Sequence, residues 1–331
     1  MKYIMNNLTG MNALIYLSRM VLIGCLLLNT GLIFAASNEN AFFNYLSQSP
    51  DEAALIAFNP SHYDPRKPVD MSSASLDDLQ RDLQSLTPSF NGLVLYECIP
   101  DLTANILQSS QEQGFKAVLL GIYKPESDEE IKCVADLVAK FHKQLALAVV
   151  IGNEGLIDNR YTLKDVEQAA KKLHSLLPTD VVIPFSTSEP VSEYGMDSLV
   201  AFGDFLAPNI HPAVDQDKVE PNSAAQWVRK RGLALARVGK KPVLVKETGV
   251  PNGGLPSFTP KLQQAFWGAY LQEGRLLKAD GGYWVSLAAA FEAFDMPWKA
   301  EKSGIAIEGH WGLLDNKRNP FPAFDVWRKN H

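Results

Sequence analysis

Eight short apolar runs alternate with seven longer amphipathic stretches over about 280 residues, and this alternation predicts an α/β fold closed into one (β/α)8 (TIM) barrel. Most of the short runs are apolar at every position, as strands covered on both faces must be. Neither a G-x-G-x-x-G after the first strand nor a P-loop is present to recommend an open doubly wound sheet instead. The predicted strands are 55–58, 92–96, 117–122, 145–151, 181–185, 205–210, 242–246 and 288–293, each too short for an ordinary helix. The predicted helices are 76–86, 102–113, 128–141, 163–177, 196–202, 224–238 and 261–278, with Pro260 suited to the start of the last. No repeat, low-complexity tract or linker divides residues 41–331, which read as a single domain.

The chain has 331 residues, 46% of them hydrophobic and 21% charged, a composition that suits a large folded domain. Its formal charge is -6, and Lys2 and Arg19 are the only charges in the first 37 residues, so the remainder is more acidic still. Nucleic acid is a poor partner for such a surface, because phosphate affinity comes from clustered Lys and Arg. Residues 20–36 form an apolar run ending in Ala35, Ala36 and Ser37, the layout of a secretory signal within 1–36. The upstream 13–17 stretch extends it, so a membrane tether through residues 13–36 is the alternative. A lipobox reading of Leu22-Ile23-Gly24-Cys25 is less favoured, since the apolar run continues to Phe34. A secreted or periplasmic monomer is expected, or one anchored with its barrel outside the cytoplasm. Cys98 and Cys133 fit no metal or redox spacing and are read as two buried thiols rather than a disulfide.

In a barrel of this kind the chemistry sits at the carboxyl ends of the strands. Gly152-Asn153-Glu154 leaves the fourth strand and Glu247-Thr248-Gly249 leaves the seventh, which places two carboxylates across the mouth from one another. A lone Glu after a strand is ordinarily a solvated loop residue or an ion-pair partner. Two opposed ones match the demand of a glycosidase for one ionised and one protonated carboxyl group. Asn153 can donate to a sugar hydroxyl beside the reacting carbon. Tyr96 and Tyr123 end the second and third strands, and Phe291, Phe294, Trp298 and Trp311 surround the last; the Phe residues read as core, the Trp residues as platforms for a pyranose ring. His211 ends the sixth strand and reads as a positioning group near Glu247. The six His are scattered, with no H-E-x-x-H, so no metal is expected, and no G-x-S-x-G offers a serine nucleophile.

In this order and spacing the motifs resemble bacterial members of glycoside hydrolase family 17, the β-1,3-glucanase and glucanosyltransferase family. Gly152-Asn153-Glu154 is similar to its acid/base motif, Glu247-Thr248-Gly249 to its nucleophile motif, and Phe291-Glu292-Ala293-Phe294-Asp295 with Pro297-Trp298-Lys299 to its last-strand signature. The resemblance, covering about 55–311, implies that Glu154 is the proton donor and Glu247 the nucleophile. It also implies that Asn153, Tyr96, Glu292 and Trp298 line the sugar subsites, that Glu189 matches a position where the family often has an acidic residue in the cleft, and that no cofactor is needed; His211, Lys299 and Trp311 are further candidates for substrate contact. The implied reaction is retaining hydrolysis of a β-1,3-glucan. Transglycosylation on the same substrate and a non-catalytic glycan-binding barrel are the alternatives. Val250, Ala213, Met296 and Gly155 depart from the family pattern, and the lost aromatic platforms bear on chain-length preference.

Overall fold

The computed structural model describes residues 40–216 and 218–328, so the segment read as signal or anchor, 1–36, lies outside the described residues. Among the described residues no helix is long and apolar enough to cross a membrane. The described residues open with a helix absent from the predicted set, α1 (Ala41–Ser47), capped by the Asn40 side chain, which accepts the Phe42 and Phe43 N–H groups. Its Phe42, Phe43 and Leu46 are buried, each contributing on the order of 2 kcal/mol through removal from water.

Five strands follow in parallel order, β1 (Leu55–Ala57), β2 (Gly92–Val94), β3 (Ala117–Ile122), β4 (Ala146–Asn153) and β5 (Phe185–Ser188). A short strand near the carboxyl end, here β9 (Ala289–Ala290), pairs parallel with the free side of β1, giving a curled six-stranded sheet. Between these lie β6 (Val243–Leu244), β7 (Leu276–Lys278) and β8 (Trp284–Ser286), which form a three-stranded sheet with β8 in the middle. The predicted strand 205–210 has no ladder of its own. Single parallel bridges instead tie Leu206 to Val243, and Asn209 to both Pro190 and Glu247. The architecture is therefore α/β, a mostly parallel curled sheet with helices packed outside it.

The helices are α2 (Ser73–Leu86), α3 (Pro100–Glu112), α4 (Asp128–Phe141), α5 (Leu163–Leu176), α6 (Asp197–Ala201), α7 (Pro212–Asp215), α8 (Pro221–Gly239), α9 (Pro260–Leu271), α10 (Pro297–Ser303) and α11 (Pro322–Val326). Their starts follow side-chain chemistry. Ser72 and Ser127 cap α2 and α4, Thr162 and Asp165 form a capping box on α5, and Pro occupies the first turn of α3, α8 and α9.

Strand alternation divides the interior into two cores. Ala117, Leu119, Ala148, Val150, Phe205, Ala207 and Leu244 share one, inside the curl of the sheet. Their neighbours Val118, Leu120, Val149, Ile151, Leu206, Val243 and Val245 belong to the other, with Val134, Val138, Leu173 and Val228 of the surrounding helices. α1 covers the inner core where the strands begin: Phe43 meets Phe205 and Trp284 edge-on, each with ring centroids 5.8 Å apart.

Four local expectations change. The fifth strand runs 185–188 rather than 181–185, because Pro184 has no N–H for a ladder, and Val182 is 82% exposed. The last predicted helix stops at Leu271; Gly274, at φ +84°, turns the chain, and Leu276–Lys278 pairs antiparallel with β8. The strand predicted at 288–293 is represented by the shorter β9, preceded by β8. Cys98 and Cys133 form a disulfide rather than two free thiols, with Cα atoms 6.0 Å apart. The pairing arises because the loop after β2 folds against α4, a proximity that a separation of 35 residues does not disclose.

Candidate active site

The inner alternation continues past the apolar core to the carboxyl ends of the strands. There the inward positions become polar, and Tyr96, Ser188, Asn209, His211 and Lys246 follow Val94, Ser186, Ala207 and Leu244 in the same parity. Lys246, 2% exposed, donates to Asn153 Oδ1 at 2.5 Å and to Glu247 Oε1 at 2.6 Å, and its ammonium lies 4.7 Å from the centre of the Tyr96 ring. His211 Nε2 is 3.3 Å from Glu247 Oε2. Asn209 donates to Glu154 Oε1 at 2.7 Å and to Asn153 Oδ1 at 3.2 Å, while accepting from the Ser188 hydroxyl at 2.9 Å. Glu154, Asn153 and Glu247 thus belong to one hydrogen-bonded network at the mouth of the sheet. Asn153 Oδ1 accepts from both Lys246 and Asn209, while the Asn153 N–H2 group donates to no other group among the described residues.

The two carboxylates experience opposite fields. Burial pushes Glu154 upward, the nearby Glu247 charge adds to this, and the Asn209 hydrogen bond offsets only part of it. Burial also works against ionisation of Glu247, but the Lys246 ammonium and His211 outweigh it and bring that carboxyl down to about 2. One group is disposed to hold a proton and the other to remain charged, the division that acid–base chemistry on a glycosidic bond requires. Burial also raises Tyr96 well above the ordinary phenol range, as do the Glu247 and Glu292 charges; its hydroxyl faces Glu247 but forms no hydrogen bond of normal geometry.

The loops that present these groups are shaped by close approach. Glu154 itself is in the left-handed region, φ +53°, following Gly152 at φ +81°. A Cβ on Gly152 or Gly155 would lie 2.3 or 2.0 Å from the Tyr161 side chain, which accounts for glycine at 155. Arg160 donates to the Asn153 carbonyl and lies over the Tyr123 ring, 4.4 Å from its centre. On the opposite side, a Cβ on Gly249 would fall 2.6 Å from the Phe291 carbonyl oxygen. Glu130 on α4 gathers the loops after β2 and β3, accepting the N–H groups of Cys98, Tyr123 and Lys124.

Glu292 follows a cis Phe291–Glu292 peptide and is 1% exposed. Its Oε2 takes the Lys299 ammonium at 2.5 Å, and its Oε1 has no partner. Burial raises its carboxyl to about 7 despite the attraction of Lys299. Trp298 is half-buried with an unpartnered indole N–H. Two residues expected to touch sugar are buried among protein groups. Trp311 is 2% exposed, with His211 and Phe291 packed edge-on at 5.0 and 5.6 Å, so it has no free face for stacking. Glu189 is fully buried and spends both oxygens on donors within the protein. Asn209, Lys246, Ser188 and Tyr161 were not anticipated; the parity of the inner strand positions is the signal that points to the first three. No cluster of three or more His, Cys, Asp or Glu suited to a metal ion occurs among the described residues.

Residues 56–312 match the family model of the BtgE/BtgC glycoside hydrolase domain. A glucan 1,3-beta-glucosidase of Arthroderma benhamiae is 26% identical over 262 residues, 73% of this chain and 82% of that protein. The btgC protein of Aspergillus niger, named as a glucan endo-1,3-beta-glucosidase, is 25% identical over 287 residues, and the match spans only 40% of its length. Among solved structures, the family 17 β-1,3-glucanosyltransferase of Rhizomucor miehei superposes with a TM-score of 0.64 at 18% identity, over 84% of this chain and 98% of that one. The β-1,3-glucanase CJP38 of Cryptomeria japonica pollen gives 0.63 at 14% identity, over 82% and 98%. At these identities the structures share the fold, while the family model spans the sheet and both carboxylate motifs. The chain belongs to the BtgE/BtgC glycoside hydrolase domain family.

Proposed function

We propose that this protein is a retaining glycoside hydrolase acting on β-1,3-glucan, with Glu154 as proton donor and Glu247 as nucleophile. The observation that carries the reading is the contrast between the two carboxylates, one held up by burial and the other held down by Lys246 and His211. In the first step Glu154 protonates the glycosidic oxygen while a Glu247 oxygen attacks the anomeric carbon, so that the leaving sugar departs with the proton and a glycosyl-enzyme ester forms. In the second, water attacks that carbon, Glu154 takes its proton, and Glu247 is released as carboxylate. The free amide of Asn153 suits a donor to the sugar hydroxyl next to the reacting carbon.

The names of the Arthroderma and Aspergillus relatives, glucan 1,3-beta-glucosidase and glucan endo-1,3-beta-glucosidase, support the β-1,3 linkage. The ladders and single bridges together support a closed (β/α)8 barrel, in which 205–210 is the sixth strand and the β6 segment the seventh. The motifs support a place among family 17 enzymes of the bacterial type. Export through residues 1–36, by cleavage or as a tether, is supported by the Cys98–Cys133 disulfide, since such bonds persist in oxidising compartments. Monomeric action on a polysaccharide cleft is part of the same reading.

Product analysis on laminarin and laminari-oligosaccharides tests it, comparing the wild type with Glu154→Gln and Glu247→Gln and following the first-formed anomer by NMR. Shorter sugars released as the β-anomer by the wild type, and by neither variant, are expected. First release of the α-anomer defeats the retaining assignment, and undiminished activity in either variant defeats its residue roles.

A further inference from the structure

Glu189 was expected to touch substrate, yet every donor its carboxylate accepts comes from the stretch just after Glu154. Oε1 accepts the N–H groups of Gly155 and Leu156, each at 3.1 Å, and the Tyr161 hydroxyl at 3.3 Å; Oε2 takes the Ile157 N–H at 3.5 Å. The Gly155 N–H is shared with the Tyr161 hydroxyl at 3.0 Å. The Glu154 N–H bonds the Ser188 carbonyl at 2.8 Å, so the main chain is held on both sides of Glu154 from one segment, Ser188-Glu189. That segment is registered on the network below it: Asn209, the donor to the Glu154 carboxylate, gives its own N–H to the Glu189 carbonyl at 3.0 Å.

We infer that Glu189 is a positioning residue for the proton donor: its buried carboxylate gathers the N–H groups of residues 155–157 and thereby fixes Glu154 in its left-handed conformation, aimed into the network. This rests on the reading of Glu154 as the acid. Shape alone does not satisfy the site. A glutamine of equal size brings an N–H2 group to a place that presents only donors, and leaves a buried donor unmatched. A purely structural carboxylate would lower all activity in step; a positioning one lowers the steps that need the proton. Misplacement of a reacting group by about 1 Å costs on the order of 100-fold in rate.

The test compares kcat/KM on laminaritetraose, whose leaving sugar needs protonation, with that on 2,4-dinitrophenyl β-laminaribioside, whose phenolate departs without it. In Glu189→Gln the ratio of the first to the second is expected to fall about tenfold or more. Tyr161→Phe, which keeps the carboxylate and removes only the hydroxyl sharing the Gly155 N–H, is expected to move the ratio the same way by a smaller factor. It carries the test if Glu189→Gln fails to fold. An unchanged ratio in the folded variants, whether both activities fall together or neither falls, overturns the role of Glu189. A wild type inactive on both substrates overturns the reading of Glu154, and this inference with it.

Discussion

Lys246→Met keeps an unbranched side chain one heavy atom shorter and removes an ammonium that lies 2.6 Å from Glu247 and 2.5 Å from Asn153. Burial alone drives the Glu247 carboxyl upward; Lys246 leads the influences that reverse this and take it from an ordinary 4.5 to about 2. That difference corresponds to about 3 kcal/mol, at the lower end of the roughly 3–5 kcal/mol lost when one member of a buried ion pair is stranded. A total stability of roughly 5–15 kcal/mol tolerates such a loss, so the variant is expected to fold. Because the wild-type value is depressed, the stabilisation from Glu247 is fully present above about pH 4.5 and is lost as pH falls toward about 2. In the variant the carboxyl returns to its ordinary value or above it. Near neutral pH the protein is then less stable by about 3 kcal/mol, and the acid limb of kcat/KM on laminari-oligosaccharides moves up to about pH 4.5 or higher. Rate profiles from about pH 3 to about pH 8, with thermal melts at the neutral end, measure both effects. An acid limb and a melting temperature that both stay in place would refute the claim that Lys246 keeps Glu247 ionised.

Two further outcomes follow from groups outside that pair. The Cys98–Cys133 bond closes a loop with a sequence separation of 35, for which chain entropy gives a stabilisation between about 3 and about 4.7 kcal/mol; melts with and without reductant should differ by several degrees, and coincident melts would show that the cross-link contributes little. Glu292, raised to about 7 by burial, favours the folded state fully below pH 4.5 and loses that contribution as pH rises through about 7, a change of about 3 kcal/mol. Glu292→Gln cannot titrate, so its melting temperature should change less between about pH 5 and about pH 8 than that of the wild type; an equal change would assign the wild-type dependence to another group.

Much of the fold was legible because its signals are local. The run predicted at 117–122 and the helix predicted at 128–141 coincide with the structure in bounds and type, and the strand predicted at 145–151 and the helix predicted at 163–177 in type, with ends that differ by one or two residues. Where the deciding interaction is remote, the reading slips. The polar flank of α1 hides Phe42, Phe43 and Leu46, whose burial depends on an opening at the amino ends of distant strands. The chain at 276–278 continues an amphipathic pattern but is captured by β8. The disulfide depends on how a loop falls against a helix. In the site, Glu154 was visible as the first charge after an apolar run, and Glu247 as the first carboxylate after another. Asn209 and Lys246 were legible in principle, since they extend the inward parity of Ala207 and Leu244. Glu189 and Tyr161 were not, because what matters is the turn they meet rather than the strand they follow.

The two carboxylates are governed by different parts of the chain. Glu247 is set by side chains at strand ends, Lys246 and His211, whose places are dictated by the alternation of a buried sheet. Such groups have little freedom to move, which suits the role proposed for Glu247, a carboxylate that must be ionised and aligned at the moment it attacks. Glu154 is set by burial and by a turn whose main chain is held through Ser188, Glu189 and Tyr161. Its acidity follows from how far that turn carries it out of water, a quantity that loop substitutions alter without disturbing the strands. Gly155 stands at the centre of this arrangement, because the space its Cβ would need is filled by Tyr161. The departure at 155 from the family pattern is thus matched by an aromatic ring from six residues further on. Replacing either member alone would move Glu154 while leaving Glu247 where it is.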